Sequence, residues 1–301
     1  MRPPSQDLGV SNAVRTRLVA VLVAVTAAAC LAASLPGVAG AAPAKTKPKV
    51  KVLVLGDSVG QGLALRMQRD KRLQVTNAAS VNCTLAGGPD SLQSYKDGIV
   101  IGSGCPDWRT AWPPIVQQAQ PDVVLVVTGG WEIVDRWFSN PGAGLPSTIQ
   151  DPQFAQSISD THKEAASLLS ATGAKVAFTK MQYINPPEAL PAPPGVNGIQ
   201  EIWWEPYGPT QPPNWVAPLP GQPFLASKVK TDALNKILAD LSSQGALTVY
   251  DLNKFADPKG EFTDTLKGKQ VRGPDHSHFN DRGYDLVTAW LAPKLQKLAN
   301  K

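Results

Sequence analysis

The stretch VLVLGDSVGQG, residues 52–62, runs four apolar residues into Gly56-Asp57-Ser58 and then opens into a helical pattern. A short apolar run rich in branched residues, with no polar alternation, fits a strand buried on both faces. Gly56 suits the tight turn that follows, and Asp57 or Ser58 suits the start of a helix. A hydroxyl in that position faces the unpaired N–H groups and the positive dipole end of the helix, so an anion forming on it would be stabilised. Two readings of Ser58 stay open on this stretch alone: a nucleophile, or part of a helix cap.

Working outward, the same alternation continues along the chain. Apolar, β-branched runs at 51–55, 73–76, 122–128, 175–179 and 247–250 predict strands. Helical patterns separate or follow them at 59–69, 108–118, 152–171, 227–243 and 281–298. Five strands alternating with helices predict an α/β protein with a parallel sheet covered on both faces. In such sheets a ligand sits beyond the carboxyl ends of the strands, so the residues after each strand are the ones to search.

At 301 residues, 43% hydrophobic and 18% charged, the chain is long enough to bury a substantial core. The formal charge is +5, but the excess is confined to the first 50 residues, where Arg2, Arg15, Arg17, Lys45, Lys47 and Lys49 face Asp7 alone. From residue 51 onward there are 23 charges of each sign. No clustered positive surface is predicted there, so neither a nucleic-acid groove nor a polybasic membrane patch is expected.

Residues 1–41 have the pattern of a secretory signal: Arg15 and Arg17, an apolar run from Leu18 to Leu35, then Ala39 and Ala41 in an A-x-A arrangement. A retained membrane anchor is the alternative, because that run is close to the length needed to span a bilayer. Residues 42–50 then form a cationic linker, residues 51–301 the folded domain, and no membrane domain remains after cleavage. Export would leave Cys83 and Cys105 as an even pair in an oxidising compartment, predicting one disulfide worth about 3 kcal/mol. Two buried thiols are the alternative. With no CxxC and only three His in the chain, no metal site is predicted.

A serine is a weak nucleophile without a base, and the base needs an orienting carboxylate. His162 lies in the polar-looking stretch SISDTHKEAASLL and is expected on the surface. His276 and His278 lie in GPDHSHFNDRGY, just before the last helix, where the chain returns to the sheet edge. Asp275 precedes His278 by three residues, a spacing one loop turn can close. Asp275 and His276 are adjacent, and neighbouring side chains usually diverge, so His278 is the expected base. Asp275 could instead simply open a turn, with His278 packing under the final helix.

GDSVGQG near the start and DHSHFNDRGY near the end together resemble the first and last signature blocks of the SGNH, or GDSL-like, hydrolases, over about residues 51–298. The resemblance implies a flavodoxin-like three-layer α/β/α fold with a five-stranded parallel sheet. It also implies serine-esterase or O-acyltransferase chemistry, with Ser58 as nucleophile, His278 as base and Asp275 as its orienting carboxylate.

The middle blocks depart from the family pattern. In TNAASVNCTLAGG, Asn82 stands where the family's Gly donor is expected, and its backbone N–H could serve. In TGGWEIVDRW the usual Asn is absent: Gly130, Trp131 and Glu132 occupy that edge, and the Trp131 backbone N–H is the candidate replacement. This Gly-x-Trp-Glu variant resembles the SGNH domains attached to bacterial surface-polysaccharide acyltransferases. Glu132 either pairs with Arg136 one helical turn on, as a largely solvated ion pair worth about 0.5 kcal/mol, or enters the site.

A Pro-rich stretch at residues 185–224, with Trp203, Trp204, Tyr207 and Trp215, follows the fourth strand. It is either a wall for sugar rings or acyl chains, or a loop that buries its own aromatics. The resemblance implies an acylated carbohydrate or another ester as substrate, and no cofactor. The alternatives are acyl transfer to a glycan and a silent carbohydrate-binding module.

Overall fold

In the first strand, Val52, Leu53, Val54 and Leu55 are all at most 1% exposed, because helices cover both faces of the sheet. The computed structural model describes residues 48–86, 92–94, 100–101, 103–105, 107–137, 147–185 and 227–301. The predicted signal, most of the predicted linker and nearly all of the Pro-rich stretch lie outside these residues. Residues Lys47–Lys301 form one compact unit.

Five strands build the main sheet: β1 (Val50–Gly56), β2 (Leu73–Asn77), β3 (Val123–Val127), β4 (Lys175–Thr179) and β5 (Thr248–Tyr250). All pairings are parallel, in the order β2-β1-β3-β4-β5. This is the flavodoxin-like order, with its topological switch point between β1 and β3. Val52 pairs with Val123 and Gly56 with Val127, so the two strands reach that edge together. Strand β1 begins at Val50 rather than Lys51, because Val50 is buried and its N–H donates to the Arg72 carbonyl at 3.0 Å. The last residue assigned to the linker therefore belongs to the sheet.

The connecting helices are α1 (Ser58–Met67), α2 (Trp108–Ala119), α3 (Pro152–Ser170), α4 (Lys228–Ser243), α5 (Leu252–Ala256) and α6 (Asp281–Ala299). Val52 and Val54 face one core with Leu63 and Met67 of α1 and Val287 and Leu291 of α6. Leu53 and Leu55 face the other, with Trp112, Phe154, Ile158 and Leu238 from α2, α3 and α4. The result is three layers, α/β/α. Helices α1 and α6 approach closely because Gly62 has no side chain; a Cβ there would strike the Tyr284 ring.

His162 is not on the surface. It is fully buried within α3, its Nδ1 lies 2.8 Å from the Ile158 carbonyl oxygen, and its ring sits beside Phe178. Ile158, Ala165 and Leu169 flank it on the buried face, so the helix's apolar stripe passes through a residue whose sequence neighbours are polar. Among the described residues, no helix is long and apolar enough to cross a membrane.

Candidate active site

In the turn after β1 the cap falls on Asp57 and not on Ser58. The Asp57 carboxylate accepts from the Val59 N–H at 2.9 Å. Ser58 is the first residue of α1, which leaves its hydroxyl unengaged by the cap. Gly56 has φ +118°, and a Cβ there would collide with the Val127 carbonyl. Only glycine lets β1 turn this tightly beside β3.

The segment before α6 meets this turn from the far end of the chain. Ser58 Oγ is 2.7 Å from His278 Nε2, and His278 Nδ1 hydrogen-bonds the second carboxylate oxygen of Asp275. The other Asp275 oxygen accepts from the Ser277 and His278 N–H groups, each at 3.1 Å, so the loop curls around the carboxylate. The Gly273 N–H donates to the His278 carbonyl at 2.8 Å, closing that loop at its base. Beneath it, Arg272 and Asp257 form a fully buried ion pair at 2.9 Å, with the guanidinium over Phe279. His276 turns away: φ is +51°, and Nδ1 lies 3.1 Å from Asp264.

Electrostatics match this geometry. Burial alone would raise the Asp275 carboxyl, but hydrogen bonding to His278, the His278 charge and the two backbone N–H groups outweigh it and hold the group below its ordinary value. Burial alone would lower His278. The Asp275 hydrogen bond and charge, then the Asp57 charge, overcome burial and the opposing Arg272, so the imidazole is raised. Asp57 is pushed up to about 6 by burial, against the pull of His278 and its own backbone hydrogen bonds, with Glu132 adding to the rise. A hydroxyl bonded to an imidazole whose far nitrogen is held by a carboxylate can lose its proton to that ring as it attacks a carbonyl.

The other predicted residues lie along the same sheet edge. Asn82 follows β2, is buried, and has φ +59°, a left-handed conformation that Asn tolerates better than most residues. Its carbonyl accepts from the Gly104 N–H at 2.8 Å, and the next residue, Cys83, is disulfide-bonded to Cys105. After β3, Gly130 opens a 3₁₀ turn, Gly130–Ile133, in which Trp131 and Glu132 are buried.

The predicted Glu132–Arg136 ion pair does not form. The turn is too short to place the two residues one helical turn apart, and Glu132 is 3% exposed, not solvated. Its carboxylate accepts from Thr84 Oγ1 at 2.9 Å and from the N–H groups of Leu85 and Ala86 at 2.6 and 2.8 Å. Arg136 is fully buried as well and donates to the carbonyls of Ala86, Trp131 and Val134. Burial brings its guanidinium down to about 10, opposed by the charges of Glu132 and Asp135.

Sequence reasoning missed two neighbours of the triad-like group. Asp57 is a second carboxylate whose charge acts on His278, and its place inside the opening stretch was the available signal. Gly129 is the other: any Cβ there would collide with the Asp57 carboxylate.

No family model matches the chain, and neither does any curated protein. Among solved structures it is similar to the periplasmic domain of a lipopolysaccharide acetyltransferase from Salmonella ser. Paratyphi A, at 12% identity over 83% of this chain and 85% of that one, with a TM-score of 0.47. It is similar also to an acetyl xylan esterase, AlAXEase, at 14% identity over 81% and 99%, TM-score 0.42. A catalytic mutant of an acetylxylan esterase from Geobacillus stearothermophilus gives 12% identity over 82% and 94%, with a TM-score of 0.42.

Proposed function

We propose that this chain is an SGNH-type serine esterase that hydrolyses O-acyl esters. The observation that carries the reading is the 2.7 Å contact between Ser58 Oγ and His278 Nε2, with Asp275 on the opposite ring nitrogen, at the switch point of a parallel sheet. Ser58 attacks the ester carbonyl while His278 takes its proton, and Asp275 stabilises the imidazolium. The tetrahedral intermediate's oxyanion is held by the backbone N–H groups of Ser58, Asn82 and Trp131 at the N-terminal end of α1. Collapse expels the alcohol, which takes the proton from His278 and leaves an acyl group on Ser58. Water, activated by the same imidazole, then releases the acid.

The natural substrate in this reading is an acylated carbohydrate of the cell envelope, reached after export by a signal in residues 1–41. The Cys83–Cys105 disulfide supports an oxidising compartment. Transfer of the acyl group to a sugar hydroxyl would use the same side chains, favoured in motif style by the Gly-x-Trp-Glu variant at 129–132. Product analysis with and without added glycan separates the two.

The decisive experiment compares wild type with Ser58→Ala on short aryl esters and with a fluorophosphonate probe. Wild type should turn over the ester and carry the probe on Ser58, and Ser58→Ala should do neither at an unchanged melting temperature. Turnover retained in Ser58→Ala would remove Ser58 from the mechanism, and a wild type inert to both reagents would favour a silent binding module.

A further inference from the structure

Glu132 and Arg136 are charged, buried beside the site, and unused by the chemistry above. Burying a carboxylate and a guanidinium is costly unless every hydrogen-bonding position is filled, and similar volume could be supplied by apolar side chains at no such cost. What apolar side chains could not do is fix the direction of individual peptide groups.

The hydrogen bonds of this pair go to backbone and to Thr84 rather than to each other. Glu132, from the turn after β3, gathers Thr84 Oγ1 and the N–H groups of Leu85 and Ala86, from the segment after β2. Arg136 works across the same junction with the opposite polarity, donating to the Ala86 carbonyl on one side and, at 2.8 Å, to the Trp131 carbonyl on the other. Ala86 thus has its N–H held by one residue and its carbonyl by the other, which fixes the peptide planes on both sides of its Cα. Thr84 adds an internal brace, its Oγ1 accepting from the Ala86 N–H at 3.1 Å.

The two segments joined in this way are those that carry Asn82 and Trp131. On the outer side the first is also tied through Cys83–Cys105 and the Gly104–Asn82 hydrogen bond. We propose that Glu132 and Arg136 are positioning residues: a buried two-charge clamp that sets the backbone of Asn82 and Trp131 relative to Ser58, so that their N–H groups are preorganised for an oxyanion. This rests on the esterase reading. The clamp touches neither substrate nor the reacting atoms, and it acts through the peptide planes it holds.

Glu132→Gln keeps the volume but puts an NH2 group where one of the three donors now points. Thr84→Val removes two hydrogen bonds, the one donated to Glu132 and the one accepted from the Ala86 N–H, at nearly constant shape, and serves if Glu132→Gln folds poorly. Each is compared with wild type on a short aryl ester across pH, together with hydrogen exchange of the 82–86 amides.

A clamp predicts a fall in kcat of about ten- to a hundredfold with KM within about twofold, because the misplaced donors matter chiefly in the transition state. It also predicts faster exchange at Leu85 and Ala86 in both variants, and an unmoved pH midpoint in Thr84→Val, which keeps the Glu132 charge. Unchanged kcat in an active enzyme overturns the clamp and leaves the esterase standing. A moved midpoint in Thr84→Val overturns it too, by placing the effect on His278 rather than on the loop. A wild type inert to esters and to the fluorophosphonate overturns the esterase itself, and the clamp's role in catalysis falls with it.

Discussion

Asp57 and Asp275 both bear on His278, and burial acts on them with different results. Asp275 has enough donors to stay ionised, whereas Asp57, capping α1 from a buried position, is pushed up to about 6. Because His278 is raised, it is protonated, and useless as a base, to a higher pH than an ordinary histidine. The kcat/KM profile should therefore climb with pH through a midpoint above about 6.5. Asp57→Asn keeps a capping oxygen but removes a charge that raises His278, so the midpoint should move down; an unmoved midpoint would dissociate Asp57 from the base. The stability consequence has a definite sign. A carboxyl whose pKa is higher folded than unfolded binds extra protons in the folded state, so wild type loses stability as pH rises from about 4 to 6. Asp57→Asn does not, and at pH 8 it should be more stable by roughly 2–3 kcal/mol, with the gap closing near pH 4, as urea unfolding at both pH values would register. Between the neighbouring imidazoles, His278→Ala should abolish turnover while His276→Ala should retain most of it, since the His276 ring nitrogen reaches Asp264 rather than Ser58. Equal losses would mean that the base is misassigned. At this scale Ser58, His278 and Asp275 were legible as candidates because few histidines had to be searched and one sat three residues from a carboxylate. Glu132 was a candidate as well, but its partners were not legible, since they lie 46 to 48 residues away along the chain.

Elements were legible where their signal is local. The five strands were visible as branched apolar runs, and their ends differ from expectation by about a residue because pairing, not composition, decides where a strand stops. Helix α5 was missed since five residues cannot display a helical period. Helix α2 was harder to read because Pro113 and Pro114 lie inside it and remove backbone donors. The pairing of Glu132 with Arg136 failed for a related reason: an i,i+4 spacing implies contact only if the backbone between is α-helical, and here it leaves the 3₁₀ turn after Ile133. The segment after β2 depends on the cross-link between Cys83 and Cys105, 22 residues apart. Replacing both by Ser should cost about 3 kcal/mol in urea unfolding. An unreduced digest of the exported wild-type protein should contain the two peptides joined; free thiols at both positions would remove that contribution and weaken the argument for export.

For the molecule as a whole, the alternation of strands and helices was enough to anticipate a doubly covered parallel sheet, and the observed order 2-1-3-4-5 puts its switch point where the opening stretch ends. Strand order itself is not encoded in any local run, and here the family resemblance supplied it. The basic N-terminal segment makes a separate prediction: protein recovered from the medium or envelope of a secreting bacterial host should begin near Ala42, and an intact mass that includes Met1 would favour the retained anchor. One further consequence follows from the separation of Ser58 and His278, which touch across 220 residues of chain. At roughly 5–20 residues per second, the ribosome makes the hydroxyl on the order of ten seconds or more before it makes the imidazole. The Asp275–His278 turn is local, but it has nothing to act on until the last helix has closed onto the first. If Ser58 and His278 act together as proposed, nascent chains and any product truncated before residue 278 would be inert, and a cell translating this message would carry no premature ester-cleaving activity from unfinished copies.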